Sequence, residues 1–156
     1  MELDRLQEIK GPLHGVPFCV KDDHDIIGMD TTLGYSQNVY KPANRTATIV
    51  EVLMDLGAVP FCKTNVPQTL MSFGSDNPVF GATVNPLNKL LSPGGSSSGS
   101  GCLVGARGAP FATGTDAAGS GRIPAHFNGI SSIMPTSRRL SSEGLALAIP
   151  GFIGGK

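Results

Sequence analysis

Thr46-Ala47-Thr48-Ile49-Val50-Glu51-Val52-Leu53-Met54-Asp55-Leu56-Gly57-Ala58-Val59-Pro60-Phe61-Cys62-Lys63 is the stretch that decides the fold class. Its first part carries an apolar face at helical spacing behind a capping threonine and stops at Gly57, so it reads as a capped helix. Val59–Lys63 then reads as a strand. Upstream, Gly15-Val16-Pro17-Phe18-Cys19-Val20-Lys21 reads as another short strand, one that ends in a charge, with a loop-like region at 22–45 between it and the helix. Strand, helix and strand in this order predict a layered α/β fold.

Working outward, Leu3–Ile9 has the pattern of the last turns of an amphipathic helix closed by Gly11-Pro12. Beyond Lys63, a short helix is expected over Val66–Phe73. A polar loop from Gly74 to Pro93 follows, with turn signals at Asn77-Pro78 and Asn85-Pro86. Cys102-Leu103-Val104-Gly105-Ala106 suggests a closely packing helix of small residues, Phe111–Thr115 a buried strand, and Ser120–Phe127 a helix. No internal repeat is visible.

The chain has 156 residues, 40% hydrophobic and 15% charged, which fits one ordinary globular domain with a core. Twelve basic residues balance twelve acidic ones. With no basic stripe interleaved with aromatics, nucleic acid is not an expected partner. Cys19, Cys62 and Cys102 are odd in number and lack a CxxC pair, which argues against a disulfide framework and a zinc site. His14, His24 and His126 show no metal-binding spacing, so neither a metal nor another cofactor is expected. The N-terminus is too polar for a signal peptide, and no run reaches the roughly 18 to 20 apolar residues of a membrane span. A soluble, intracellular chain is the expectation.

Two clusters remain: Gly94-Gly95-Ser96-Ser97-Ser98-Gly99-Ser100 and Gly114-Thr115-Asp116-Ala117-Ala118-Gly119-Ser120-Gly121-Arg122. Composition alone reads the first as a solvated linker. The Thr, Asp and Arg of the second do not fit a linker. Such segments bring backbone N–H groups and small hydroxyls up to a reacting atom, because glycine lacks the Cβ that would hold the chain away. A serine at the N-terminus of the Ser120–Phe127 helix would sit where developing negative charge is favoured.

In sequence and spacing these clusters resemble the Gly-Gly-Ser-Ser-Gly-Gly-Ser and Gly-Thr-Asp-x-Gly-Gly-Ser patterns of the amidase signature hydrolases. Gly15–Asp22 is similar to that family's lysine-bearing strand, and Gly57–Asn65 to the strand that follows. Val66–Phe73, Thr32-Leu33-Gly34-Tyr35-Ser36 and Asn85-Pro86 are most similar to fatty acid amide hydrolases. The resemblance runs from about Gly11 to about Gly144. It implies a mixed β-sheet layered between α-helices and a Ser-cisSer-Lys triad, with Ser120 as nucleophile, Ser96 as bridging hydroxyl and Lys21 as base. A lysine can serve as base only if burial keeps part of it neutral, so Lys21 is expected to be buried. The peptide bond before Ser96 is expected to be cis.

The resemblance further implies an oxyanion hole from the N–H groups of Ala117, Ala118, Gly119 and Ser120, structural support from Gly95, Asp116 and Arg122, and substrate contacts from Leu70, Met71, Ser72 and Phe73. The implied substrate is a small-molecule amide, lipid-like in character, cleaved through an acyl-enzyme. Three positions depart from the family pattern: Ala118 and Ser98 stand where glycine is usual, and Gly121 where an apolar residue is usual. Ala118 would narrow the oxyanion hole if its backbone needed a positive φ.

The family's catalytic domain is several times longer, so residues 1–156 are expected to form a single partial amidase signature domain, truncated at the C-terminus. A homodimer would belong to the full-length parent, as would any peripheral membrane association, through segments outside these residues. Two other readings stay open: a glutamine-hydrolysing amidotransferase subunit, and a catalytically inactive fragment serving binding or assembly. An α/β-hydrolase is disfavoured because Ala118–Arg122 lacks the outer glycines of GxSxG. A phosphate-binding loop at Gly151–Lys156 is disfavoured because it lacks the first glycine and any Ser or Thr after Lys156.

Overall fold

The computed structural model describes residue 5 and residues 8–147. The helix expected over Leu3–Ile9 lies largely outside them, and Gly151–Lys156 entirely so. Strands β1 (Pro17–Lys21), β2 (Val59–Thr64) and β3 (Phe111–Ala112) form a parallel sheet in the order β2-β1-β3. Helices α1 (Thr48–Asp55), α2 (Ser98–Gly105) and α3 (Arg122–Phe127) accompany it. The α/β layering follows the sequence pattern. Antiparallel character, part of a mixed sheet, is confined among the described residues to the isolated bridges His24 to Leu145 and Asp30 to Pro42.

β1 is the central strand, and every residue from Phe18 to Lys21 is buried. A strand covered on both faces must be continuously apolar, and this one is, until Lys21. Phe18 and Val20 point to one side, where they join Ala47, Val50 and Ala58 in the core. Phe18 also stacks on Phe111 of β3, with ring centroids 5.3 Å apart. Because side chains alternate along a strand, Cys19 and Lys21 face the other way, towards the α2 side.

α2 opens inside the first glycine-serine cluster, at Ser98, and Ser98 to Gly101 are buried. A Cβ on Gly99 would come within 2.4 Å of the Asn65 nitrogen just beyond β2, so only glycine permits this approach. The small residues thus serve packing as well as chemistry.

Several boundaries differ from the sequence reading. Thr46 does not cap α1: Ala47 occupies that place without a side-chain cap, and Thr46 Oγ1 accepts the Ile27 N–H instead. Val66–Phe73 yields only a 3₁₀ turn at Gln68–Leu70, with positive φ at Thr69 and Leu70. Its N–H groups are drawn outward, Gln68 to the Asp76 carbonyl and Thr69 to that of Leu33. The third strand ends at Ala112 rather than Thr115, and α3 begins at Arg122 rather than Ser120.

Phe18→Ala would remove a fully buried ring from both the core and its stack on Phe111. The expected cost is about 3–5 kcal/mol, read from the shift of the urea unfolding midpoint.

Candidate active site

The site is built at the C-terminal end of β1. Lys21 is wholly buried, a position an ammonium tolerates only with partners. Its Nζ lies 2.9 Å from Ser96 Oγ, 2.6 Å from Thr115 Oγ1, 3.5 Å from the Thr115 carbonyl and 3.4 Å from Asp23 Oδ2. Burial pushes the Lys21 ammonium below its ordinary value, and it wins over the opposing pull of Asp23 and Asp116. The amine is thereby moved towards the neutral form a base requires.

Ser96 is brought to Lys21 by the turn that enters α2. The Gly95–Ser96 peptide bond is cis. Gly95 packs so closely on the 72–74 backbone that a Cβ would meet the Gly74 carbonyl at 2.4 Å. Ser98 Oγ donates to the same carbonyl, which pins the turn from a second point.

The second cluster is organised by Asp116. Its carboxylate accepts the N–H groups of Gly119 at 2.6 Å, Gly121 at 3.1 Å and Arg122 at 3.0 Å. The Arg122 side chain grips the same carboxylate with a fork of two bonds, Nε at 2.9 Å and Nη2 at 3.0 Å. The fork, with the backbone donors, holds the Asp116 carboxyl well below the usual range in spite of burial. The two clusters meet where Ser97 N–H donates to the Ser120 carbonyl at 3.0 Å.

Ser120 is half-buried. Among the described residues no hydrogen bond joins its hydroxyl to Ser96, whose Oγ is engaged by Lys21. Of the four N–H groups expected to form an oxyanion hole, that of Gly119 donates to Asp116. The N–H groups of Ala117, Ala118 and Ser120 donate to no backbone carbonyl among the described residues. Ala118 does not have a positive φ, whereas Gly119 has φ +120, so the methyl that replaces hydrogen at position 118 meets no backbone penalty.

Leu70, Met71, Ser72 and Phe73 line neither of the two main cavities. They form a ledge, with Met71 and Phe73 exposed, whose backbone carries Gly95. The cavity of about 470 Å³ beside Asp116 and Arg122 is lined instead by His24, Ser97, Phe111 and the apolar residues Ile130, Ile133 and Met134.

The sequence reading gave Asp23 and His24 no place in the site, and noted Thr115 only as part of the second cluster. Asp23 is buried, accepts from Thr115 Oγ1 at 2.5 Å, and pairs with His24 Nδ1 at 2.7 Å. Burial alone would raise its pKa, but Lys21, His24 and the Thr115 bond hold its carboxyl below the usual range. The signal was present as Lys21-Asp22-Asp23-His24-Asp25, five titratable residues in a row at the end of a buried strand. Asp22 belongs to a separate pair with Lys63, at 2.9 Å. Among the described residues no group of three His, Cys, Asp or Glu could hold a metal ion, and no helix is long and apolar enough to cross a membrane.

The model of the family described as Amidase matches residues 1–152. Fatty acid amide hydrolase 1 of Caenorhabditis elegans is 45% identical over 92% of this chain and 25% of its own length. Amidase 1 of Gibberella moniliformis is 44% identical over 96% of this chain and 30% of its own. A solved fatty acid amide hydrolase superposes with a TM-score of 0.89 at 38% identity, over 94% of this chain and 26% of that one. The chain therefore spans about a quarter to a third of the length of these proteins.

Asp23 and Asp116 both have folded-state pKa values below the ordinary carboxylate value. Their contribution to stability is present above the unfolded pKa of about 4 and is lost as pH falls below it. Urea midpoints measured between pH 6 and pH 3 are expected to fall with pH, and Asp116→Asn is expected to flatten that decline.

Proposed function

The chain belongs to the amidase family, and from that premise we propose that it carries the catalytic core of a serine hydrolase that cleaves carboxamides, with Ser120 as nucleophile, Ser96 as proton bridge and Lys21 as base. The observation that carries this reading is the 2.9 Å contact between Lys21 Nζ and Ser96 Oγ at a site where the lysine is wholly buried. An alcohol needs a base to attack an amide, and a desolvated lysine is one.

In the proposed reaction Ser120 Oγ attacks the amide carbon and passes its proton to Ser96, as Ser96 gives its own to Lys21. The negative charge on the former carbonyl oxygen is met by the free N–H groups of Ala117, Ala118 and Ser120. Lys21 then returns the proton through Ser96 to the departing amine nitrogen, leaving an acyl ester on Ser120. Water, activated by the same relay, releases the carboxylic acid. The link between Ser120 and Ser96 closes when substrate fills the site, since catalytic hydrogen bonds often tighten only in the bound complex.

Fatty acid amides are the proposed substrates. Two features support this: relatives named for that activity, and the apolar side chains of Met71 and Phe73 on the ledge beside Gly95. An acyl chain lying over that ledge would have its carbonyl near the paired serines.

Labelling of the intact chain with a fluorophosphonate probe tests the assignment. Ser120→Ala is expected to abolish labelling, and Lys21→Ala or Ser96→Ala to slow it by about 10²-fold or more. Equal labelling of the Ser120→Ala chain overturns it. Release of ammonia from glutamine without turnover of oleamide would overturn the lipid substrate class.

A further inference from the structure

Resting on the lysine-dependent reaction above, we propose that Asp23 is a positioning residue: through Thr115 it fixes the direction of hydrogen bonding around Lys21, and it supplies the counter-charge when Lys21 takes up a proton. The argument begins with the number of protons available. An ionised carboxylate can only accept, and a hydroxyl has one proton to give. Thr115 Oγ1 spends that proton on Asp23 Oδ2 at 2.5 Å. Towards Lys21, 2.6 Å away, it can then offer only lone pairs, so Lys21 must be the donor in that contact.

A neutral lysine has two N–H bonds and one lone pair. One N–H goes to Thr115 Oγ1, and the second faces Asp23 Oδ2 or the Thr115 carbonyl. The remaining lone pair is left for Ser96, whose hydroxyl must therefore donate to Lys21. That is the direction a base requires. With a neutral amide in place of Asp23, the threonine proton could turn round, occupy the lysine lone pair and block it.

Asp23 is itself firmly set. Its second oxygen is taken by His24 Nδ1 at 2.7 Å, its backbone carbonyl accepts the Ala146 N–H at 2.8 Å, and its side chain is 2% exposed. Among the described residues no other group does its work at Lys21. Asp116 also acts on the ammonium, but its charge is matched by the Arg122 fork. The turn into α2 presents the Ser96 hydroxyl, and Lys63 of β2 is held by Asp22. His24 reaches Lys21 only through Asp23.

A carboxylate this near favours the charged lysine, so its removal lowers the Lys21 pKa. The test is to follow Lys21 directly, by NMR of the full chain carrying ¹³Cε-labelled lysine, with the signal assigned by its loss in Lys21→Met. In Asp23→Asn the Lys21 titration midpoint is expected to fall by about one to three pH units. The acid limb of fluorophosphonate labelling is expected to move with it, while the plateau rate drops by about tenfold or more because a weaker base remains.

An unchanged midpoint in a folded Asp23→Asn chain overturns the proposal. If that variant does not fold, Thr115→Val and Thr115→Ser decide it. A plateau lowered by valine and restored by serine supports the relay, and equal rates in all three chains overturn it. Absence of labelling at Ser120 in the unsubstituted chain would count against the hydrolase reading alone, since the NMR midpoint reports on Asp23 without it.

Discussion

A fully buried lysine at the end of the central strand is the constraint on which the rest depends. Taking an ammonium out of water costs several kcal/mol unless it is paired and hydrogen-bonded. The fold meets that cost by bringing a hydroxyl from the turn into α2, a hydroxyl and a carbonyl from the loop after β3, and a carboxylate from two residues along the chain, all to one nitrogen. Each of these segments is held by a further bond of its own. The site is thus a small polar core, and the apolar core on the opposite face of β1 is its counterpart.

The two faces share a single strand, which explains the unusual economy of β1. Phe18 and Val20 anchor the sheet to α1, while Cys19 and Lys21 look towards α2. A register slip of one residue would exchange these sets and drive the lysine into the packing around Val50. Phe111 closes over Phe18 from the neighbouring strand, so the same aromatic contact that fixes the core also fixes where Thr113 and Thr115 leave the sheet.

Much of this was legible in the sequence, for definite reasons. The alternation from Gly15 to Lys63 gave strand, helix and strand because each carries its own periodicity. The paired glycine-serine clusters were found through their composition and spacing, which survive without knowledge of the fold, and Lys21 through the family resemblance they carry. The link between Asp23 and Thr115 was not legible, because the bond that joins them spans 92 residues of chain. The short helix expected at Val66–Phe73 failed for a related reason: its backbone N–H groups are bonded to Leu33 and Asp76, distant partners that outweigh local propensity. The bond from the Gly119 N–H to Asp116 was not legible either, because motifs record residue types and not which acceptor a given N–H has found.

The contacts of Lys21 also have a meaning in time. Thr115 lies 94 residues after it and Ser96 lies 75 after it. At the usual pace of synthesis, about 5–20 residues per second, the lysine waits roughly 5–20 s between its own addition and that of Thr115. During that interval it cannot enter a dry interior at acceptable cost. β1 is therefore made before β2 and β3 but fully enclosed only after them, and a nascent chain would keep this strand open to water, and to chaperones, until the second glycine-serine cluster arrives.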